Sequence, residues 1–280
     1  MTRENNCARS PRPQILDVFQ LDQAATDVWL SRAADPVGGR LFGGTMIAQV
    51  LAAGRAAMPG LTYADNLHVQ FLRAAAGDVP CEFRVQRTFD GKSSALRSIS
   101  VSQQGLPVAI GTVAFNTPSD SWTHGHKQRP PVLPDSLPNA MPHTARAVPP
   151  DAFDIRFYDE RVDGVFTRRL WFRSLYALPD DPIVHECVLS FISDLYFFEP
   201  IVAQHGFRGN DRRIRFATTD HAMWFHHIPR TDEWLVLESS SPVAGGGRGL
   251  VTGEIRTLDG RAVATVVQEV AVRMAPAPSR

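Results

Sequence analysis

"FATTDHAMW", Phe216 to Trp224, superposes on "YADNLHVQF", Tyr63 to Phe71, when the second half of the chain is laid over the first. A second pair follows: "GLPVA" (Gly105–Ala109) matches "GRAVA" (Gly260–Ala264). Working outward, each stretch belongs to the same series of elements. In the first half a helix is expected over "FGGTMIAQVLAAGRAA" (Phe42–Ala57). Four strands follow it, "TYADNLHVQFLR", "CEFRVQRTF", "SALRSISVSQQ" and "LPVAIGTVAFN". In the second half the helix is "PIVHECVLSFISDLYFFEPIVAQH", then "RIRFATTDHAMWFHH", "EWLVLESSS", "GRGLVTGEIRTL" and "RAVATVVQEVAVR".

Local physics supports these elements. Val184, Val188, Phe191, Leu195, Phe198 and Val202 recur at helical steps. Asp181-Pro182 offers a capping oxygen and a first-turn proline. Asp259-Gly260 marks a hairpin, and Gln104-Gly105 takes that place in the first half. A helix followed by an antiparallel sheet, written twice, predicts an α+β fold with each helix lying across its sheet. The first helix is rich in Ala and Gly on all sides, as expected of a helix wrapped by a sheet. The expected organisation is a first repeat over 14–117, a proline-rich linker over 118–150 that runs over the surface, and a second repeat over 151–275. A strand starts just after the linker.

Composition narrows the function. Lys plus Arg and Asp plus Glu both number 29, a net charge of zero, which argues against a nucleic-acid binder. Cys7, Cys81 and Cys187 are too scattered for a metal site or a disulfide framework, and a reducing, cytoplasmic setting is expected. The polar start lacks an apolar signal core, and no apolar run is long enough to span a bilayer. Nucleophile-elbow and phosphate-loop motifs are absent. On a strand, His221 and His227 lie on the order of 20 Å apart. His226 and Asp220 fall on the opposite face from them, so neither a histidine metal site nor an Asp220–His221 dyad fits. The Asp-His pair reads as structural.

Three polar residues sit where apolar ones are expected. Gln268 shares a strand face with Val266, Val270 and Val272, where the common role of such a residue is to satisfy a buried backbone group. Asp194 lies at the margin of the second helix's apolar stripe, either as a capping or paired acid or as a general base of raised proton affinity. Thr218, on the next strand, is expected on the same face as Asp220. The superposition sets Gln268 opposite Val113, Thr218 opposite Asp65 and His68 opposite His221. The first helix offers Gln49 but no acid, so acid, hydroxyl and amide occur together only in the second half.

At these residues, and in "LFGGTMIAQ", "HVQFLR", "DGKSSALRSISVSQQGLPV", "SDLYFF", "ATTDHAMWFH", "RGLVTGEI" and "DGRAVATVVQE", the chain resembles the acyl-CoA thioesterase II family. The resemblance runs from about Leu16 to Arg273. It implies a double hotdog fold and a water held by an acid, a threonine and a glutamine, which fall on Asp194, Thr218 and Gln268. It implies hydrolysis of fatty acyl-CoA with no cofactor or metal, and a homo-oligomer. The family's glycine after Gln-Glu is missing from "VQEVAVR", which bears on chain-length preference. Arg73 and Arg248 are candidates for the CoA phosphates. Phe191, Phe197, Phe198, Met223 and Trp224 are candidates for an acyl tunnel, although core packing is the commoner role of such residues. The competing readings are a hotdog enoyl-CoA hydratase, which would want a convergent Asp/His pair, and an acyl-CoA-binding protein without turnover.

Overall fold

A computed structural model describes residues 15–33, 39–58, 63–120, 122–139 and 152–274. The first repeat holds α1 (Ile15–Val18), β1 (Leu21–Ala25), β2 (Val28–Ser31), α2 (Gly43–Ala56), β3 (Tyr63–Phe71), β4 (Glu82–Asp90), β5 (Ser94–Gln103) and β6 (Leu106–Asn116). The second holds β7 (Phe153–Val162), β8 (Val165–Ser174), α3 (Pro182–Ile192), α4 (Glu199–Gln204), β9 (Ile214–Phe225), β10 (Leu235–Gly245), β11 (Arg248–Thr257) and β12 (Ala262–Met274). The strands form one antiparallel sheet in the order β1-β2-β4-β5-β6-β3-β9-β12-β11-β10-β8-β7. Read from either end this is the same series, so the duplication is built into the sheet. The expected α+β double hotdog is the observed fold.

The repeats meet at β3 and β9, which pair from Asn66↔Trp224 to Gln70↔Asp220. The inner face of the sheet carries Leu67, Val69, Val113, Met223, Val266 and Val270, all buried, against α2 and α3. Helix α2 is buried almost all round, from Gly44 to Leu51 and at Ala53 and Gly54. It needs its small residues. A Cβ on Gly44 would sit 2.2 Å from the Phe191 carbonyl oxygen, so glycine lets α2 and α3 touch. Asp181 caps α3 by accepting from the Ile183 N–H, as expected.

Three expectations change. Each repeat carries a strand hairpin before its main helix, β1–β2 or β7–β8, where the sequence predicts a single strand at most. The second helix is not continuous: α3 ends at Ile192, and turns with i→i−3 bonds carry the chain to α4. Pro200 stands in the first turn of α4, where proline is tolerated; inside a continuing helix its ring would clash with the carbonyl of Tyr196. Tyr196 adopts φ 59°, a left-handed break.

The third change is one of register. Each central strand carries a bulge, with Asp65 unpaired in β3 and Thr219 unpaired in β9. An extra residue reverses the in-out alternation beyond it. Thr218 therefore pairs with Val270 on the inner face, while Asp220 points outward and binds His68 at 2.8 Å. The expectation that Thr218 and Asp220 share a face is overturned. So is the superposition by one place: Gln268 pairs with His221 as Val113 pairs with Leu67. Leu67, not His68, stands opposite His221, and Ala64, not Asp65, stands opposite Thr218.

Of the proline-rich segment, residues 118–139 except 121 are described; the remainder of the expected linker lies outside the described residues. The segment's described residues hold no strand and one 3-10 turn at Pro134–Ser136. It straps onto the second repeat through Gln128 N–H to the Gly260 carbonyl, Lys127 to Asp259, and the Trp171 indole N–H to the Val132 carbonyl. No helix among the described residues is long and apolar enough to cross a membrane.

Candidate active site

Asp194 sits in the turn just after α3, not on the helix as the unbroken stripe predicts. It is 7% exposed and lines a cavity of about 510 Å³. Both repeats line this cavity: Phe42, Gly43, Met46, Phe71 and Arg73 from the first, Leu195, Phe198, Phe216 and Thr218 from the second. The helix start of α2 faces the carboxylate. Phe42, its N-cap, makes no side-chain cap bond. A helix N-terminus presents unpaired N–H groups and a partial positive charge. A Cβ on Gly43 would lie 2.5 Å from Asp194 Oδ2, so glycine there lets the carboxylate approach the backbone.

The three polar residues singled out in the sequence come together. Thr218 Oγ1 donates to Asp194 Oδ1 at 3.4 Å, and Gln268 Nε2 donates to Thr218 Oγ1 at 3.1 Å. The β9 bulge makes this possible by turning Thr218 inward beside Gln268 of β12. Burial pushes the Asp194 carboxyl up to about 7, and bonds from Gln268, Thr218 and the Gly44 N–H pull it partly back. Such a group changes charge near neutrality, the range in which a general base works best.

Behind these residues lie two more that sequence reasoning misses. His221, fully buried, contacts Gln268 Oε1 through Nδ1 at 2.6 Å and Ser193 Oγ through Nε2 at 2.9 Å. Burial pushes this imidazole down to about 4, so it is neutral at physiological pH. Its strand face is legible, but its pairing with Gln268 is a matter of cross-strand register between β9 and β12, which no local pattern in the sequence encodes. Gly43 and Gly44 are visible as letters; only the close approach gives them a reason.

The remaining candidates divide. Arg73 lines the cavity and is exposed, and Arg40, which no sequence motif marks, lines it too. Arg248 does not line it; its guanidinium is ion-paired with Glu269. Trp224, 43% exposed, lies on the outer face between the inner residues Met223 and Phe225. Phe198 lines the cavity and stacks on Phe216 with centroids 3.6 Å apart. Phe191, Phe197 and Met223 are core residues, at most 1% exposed. His226 bonds Thr265, and among the described residues no cluster of His, Cys, Asp or Glu has the form of a metal site.

Comparison with known proteins gives a consistent result. Residues 152–271 match the family model described as acyl-CoA thioesterase, and residues 30–116 match the acyl-CoA thioesterase N-terminal domain. Human acyl-coenzyme A thioesterase 8 is 27% identical, over 94% of this chain and 89% of its own. Acyl-CoA thioesterase 2 of Haemophilus influenzae is 23% identical, over 92% and 96% respectively. Among solved structures, the acyl-CoA thioesterase II TesB2 from Mycobacterium marinum superposes with a TM-score of 0.80 at 30% identity. That match covers 95% of this chain and 99% of the other. A hot dog fold protein from Alicyclobacillus acidocaldarius superposes with a TM-score of 0.76 at 21% identity, covering 94% and 98%, a likeness of fold.

Proposed function

The chain belongs to the acyl-CoA thioesterase family, and from that premise we propose that Asp194, Thr218 and Gln268 activate a water molecule against the thioester of a fatty acyl-CoA. One observation carries the reading. A carboxylate of raised proton affinity lies in an apolar cavity, with a hydroxyl and an amide converging on it. Asp194 takes a proton from water, and the oxygen attacks the carbonyl carbon. The C–S bond then breaks, and the proton passes to the departing CoA thiolate. Thr218 and Gln268 hold the water in line, an orientation effect. The first turn of α2 gives its Gly44 N–H to Asp194, and its other unpaired amides are the donors we assign to the oxyanion, as helix starts favour negative charge. No covalent intermediate is needed.

The apolar walls, which include Phe71, Phe198 and Phe216, suit an acyl chain. Arg73 and Arg40 are assigned to the CoA phosphates and Arg248, away from the cavity, is not; Trp224, also away from it, is left out of the acyl-chain wall. The test is release of free thiol from palmitoyl-CoA, run beside hydration of crotonyl-CoA. Thiol release that depends on Asp194, without hydration, supports the reading. Hydration, or binding without turnover, overturns it.

A further inference from the structure

We infer that His221, held by Ser193, is a positioning residue that fixes the direction in which the Gln268 amide and the Thr218 hydroxyl donate. The inference rests on the proposed site and extends it by one layer.

A glutamine amide has two near-isosteric ends, and turning it over exchanges a donor for an acceptor. In one orientation Nε2 donates to Thr218, whose own proton is then available to Asp194. In the other, Oε1 takes the Thr218 proton and Asp194 loses that donor. What selects between them is the group at the far end of the amide. That group is His221 Nδ1, 2.6 Å from Oε1. A neutral imidazole has one N–H, so a proton on Nδ1 leaves Nε2 as an acceptor. Ser193 Oγ lies 2.9 Å from Nε2 and donates to the Ser190 carbonyl at 2.8 Å, so with Nε2 unprotonated its one proton is shared between the two acceptors. With the proton on His221 Nδ1, donation runs one way, from His221 through Gln268 and Thr218 to Asp194. Every member is buried except Thr218, which is half-buried at the cavity wall. In the first repeat, strand pairing sets Leu67 in the place of His221, Val113 in that of Gln268 and Ala64 in that of Thr218. The relay is missing there as a unit, and a leucine is accommodated at the equivalent strand position.

The test uses three substitutions of the full chain. In His221→Asn the amide nitrogen takes the place of Nδ1 and keeps the donor to Gln268. In His221→Gln the longer side chain takes the place of Nε2, keeps Ser193 and loses that donor. His221→Leu loses both. With palmitoyl-CoA, kcat is expected to fall at least ~10-fold in His221→Leu and His221→Gln, the scale of losing an orienting partner, with KM little changed. His221→Asn should restore most of kcat. The melting temperatures need not follow that order. The inference is overturned if all three lose activity in proportion to stability, or if His221→Leu keeps near-normal kcat while Gln268→Ala collapses. If Gln268→Ala and Asp194→Asn are themselves near normal, the underlying site assignment fails instead.

Discussion

At the scale of the residue, the account turns on one carboxyl group. Asp194 is raised from 3.8 to about 7, chiefly by burial. As a base it works only when ionised. The rate of thioester hydrolysis is therefore expected to rise with pH and level off above about 7, and a profile flat down to pH 5 would exclude Asp194 as the base. The same burial sets a stability cost of opposite sense. The unfolded chain ionises this group near 3.8 and the folded chain near 7. Stability is thus fully present below about 4 and lost as pH rises through 7. Asp194→Asn removes the titration. The variant should be more stable than the wild type at pH 8, by at most roughly 4 kcal/mol, since each tenfold difference in proton affinity is worth about 1.4 kcal/mol. That advantage, read from denaturant melts, should shrink at pH 5. Glu186, also pushed up by burial, to about 8, is present in both proteins and cancels in the difference. Asp194, Thr218 and Gln268 are legible as misplaced polar letters and by family resemblance. His221 reads as merely structural in the sequence, because its significance is a hydrogen bond across strands that no local pattern encodes.

At the scale of the element, two adjacent glycines of α2 do different work. A Cβ on Gly44 meets the Phe191 carbonyl at 2.2 Å, a backbone contact that cannot yield without parting the helices. Gly44→Ala should cost ~1–3 kcal/mol, read as a lowered melting temperature. A Cβ on Gly43 meets the Asp194 carboxylate at 2.5 Å, the end of a side chain that can turn away. Gly43→Ala should leave the melting temperature near normal and cut kcat. Equal effects on both quantities in both variants would contradict this division. Helix periodicity places α2 to within a residue at each end, and most strand limits to within two. The β9 bulge is not legible. Periodicity assumes an unbroken alternation, and one extra residue moves Thr218 to the other face. Pro200 marks the start of α4, but the end of α3 at Ile192 falls well before it, inside an apolar stripe that reads as continuous.

At the scale of the whole molecule, the duplication explains why one chain carries one such constellation. The two repeats share a sheet order and a bulge, but the polar relay belongs to the second. The first repeat still supplies Gly43, Phe71 and Arg73 to the cavity and covers β9 with β3. Residues 152–274 alone would expose the β9 edge and half the cavity, an invitation to aggregation. Expressed alone, that half should show no turnover, and co-expression with the first repeat should restore it; activity in the isolated half would refute the shared cavity. The repeat is readable because recurring hydrophobic patterns survive divergence. The superposition slips by one because letters are matched across strands whose bulges only the pairing reveals.

The central claim is that a buried acid, and not the fold alone, gives turnover. The most direct measurement is kcat for palmitoyl-CoA hydrolysis, wild type against Asp194→Asn, at pH 8. The account predicts a loss of ~100-fold or more with little change in KM, the range for a missing general base. A variant within a few-fold of the wild type would contradict it.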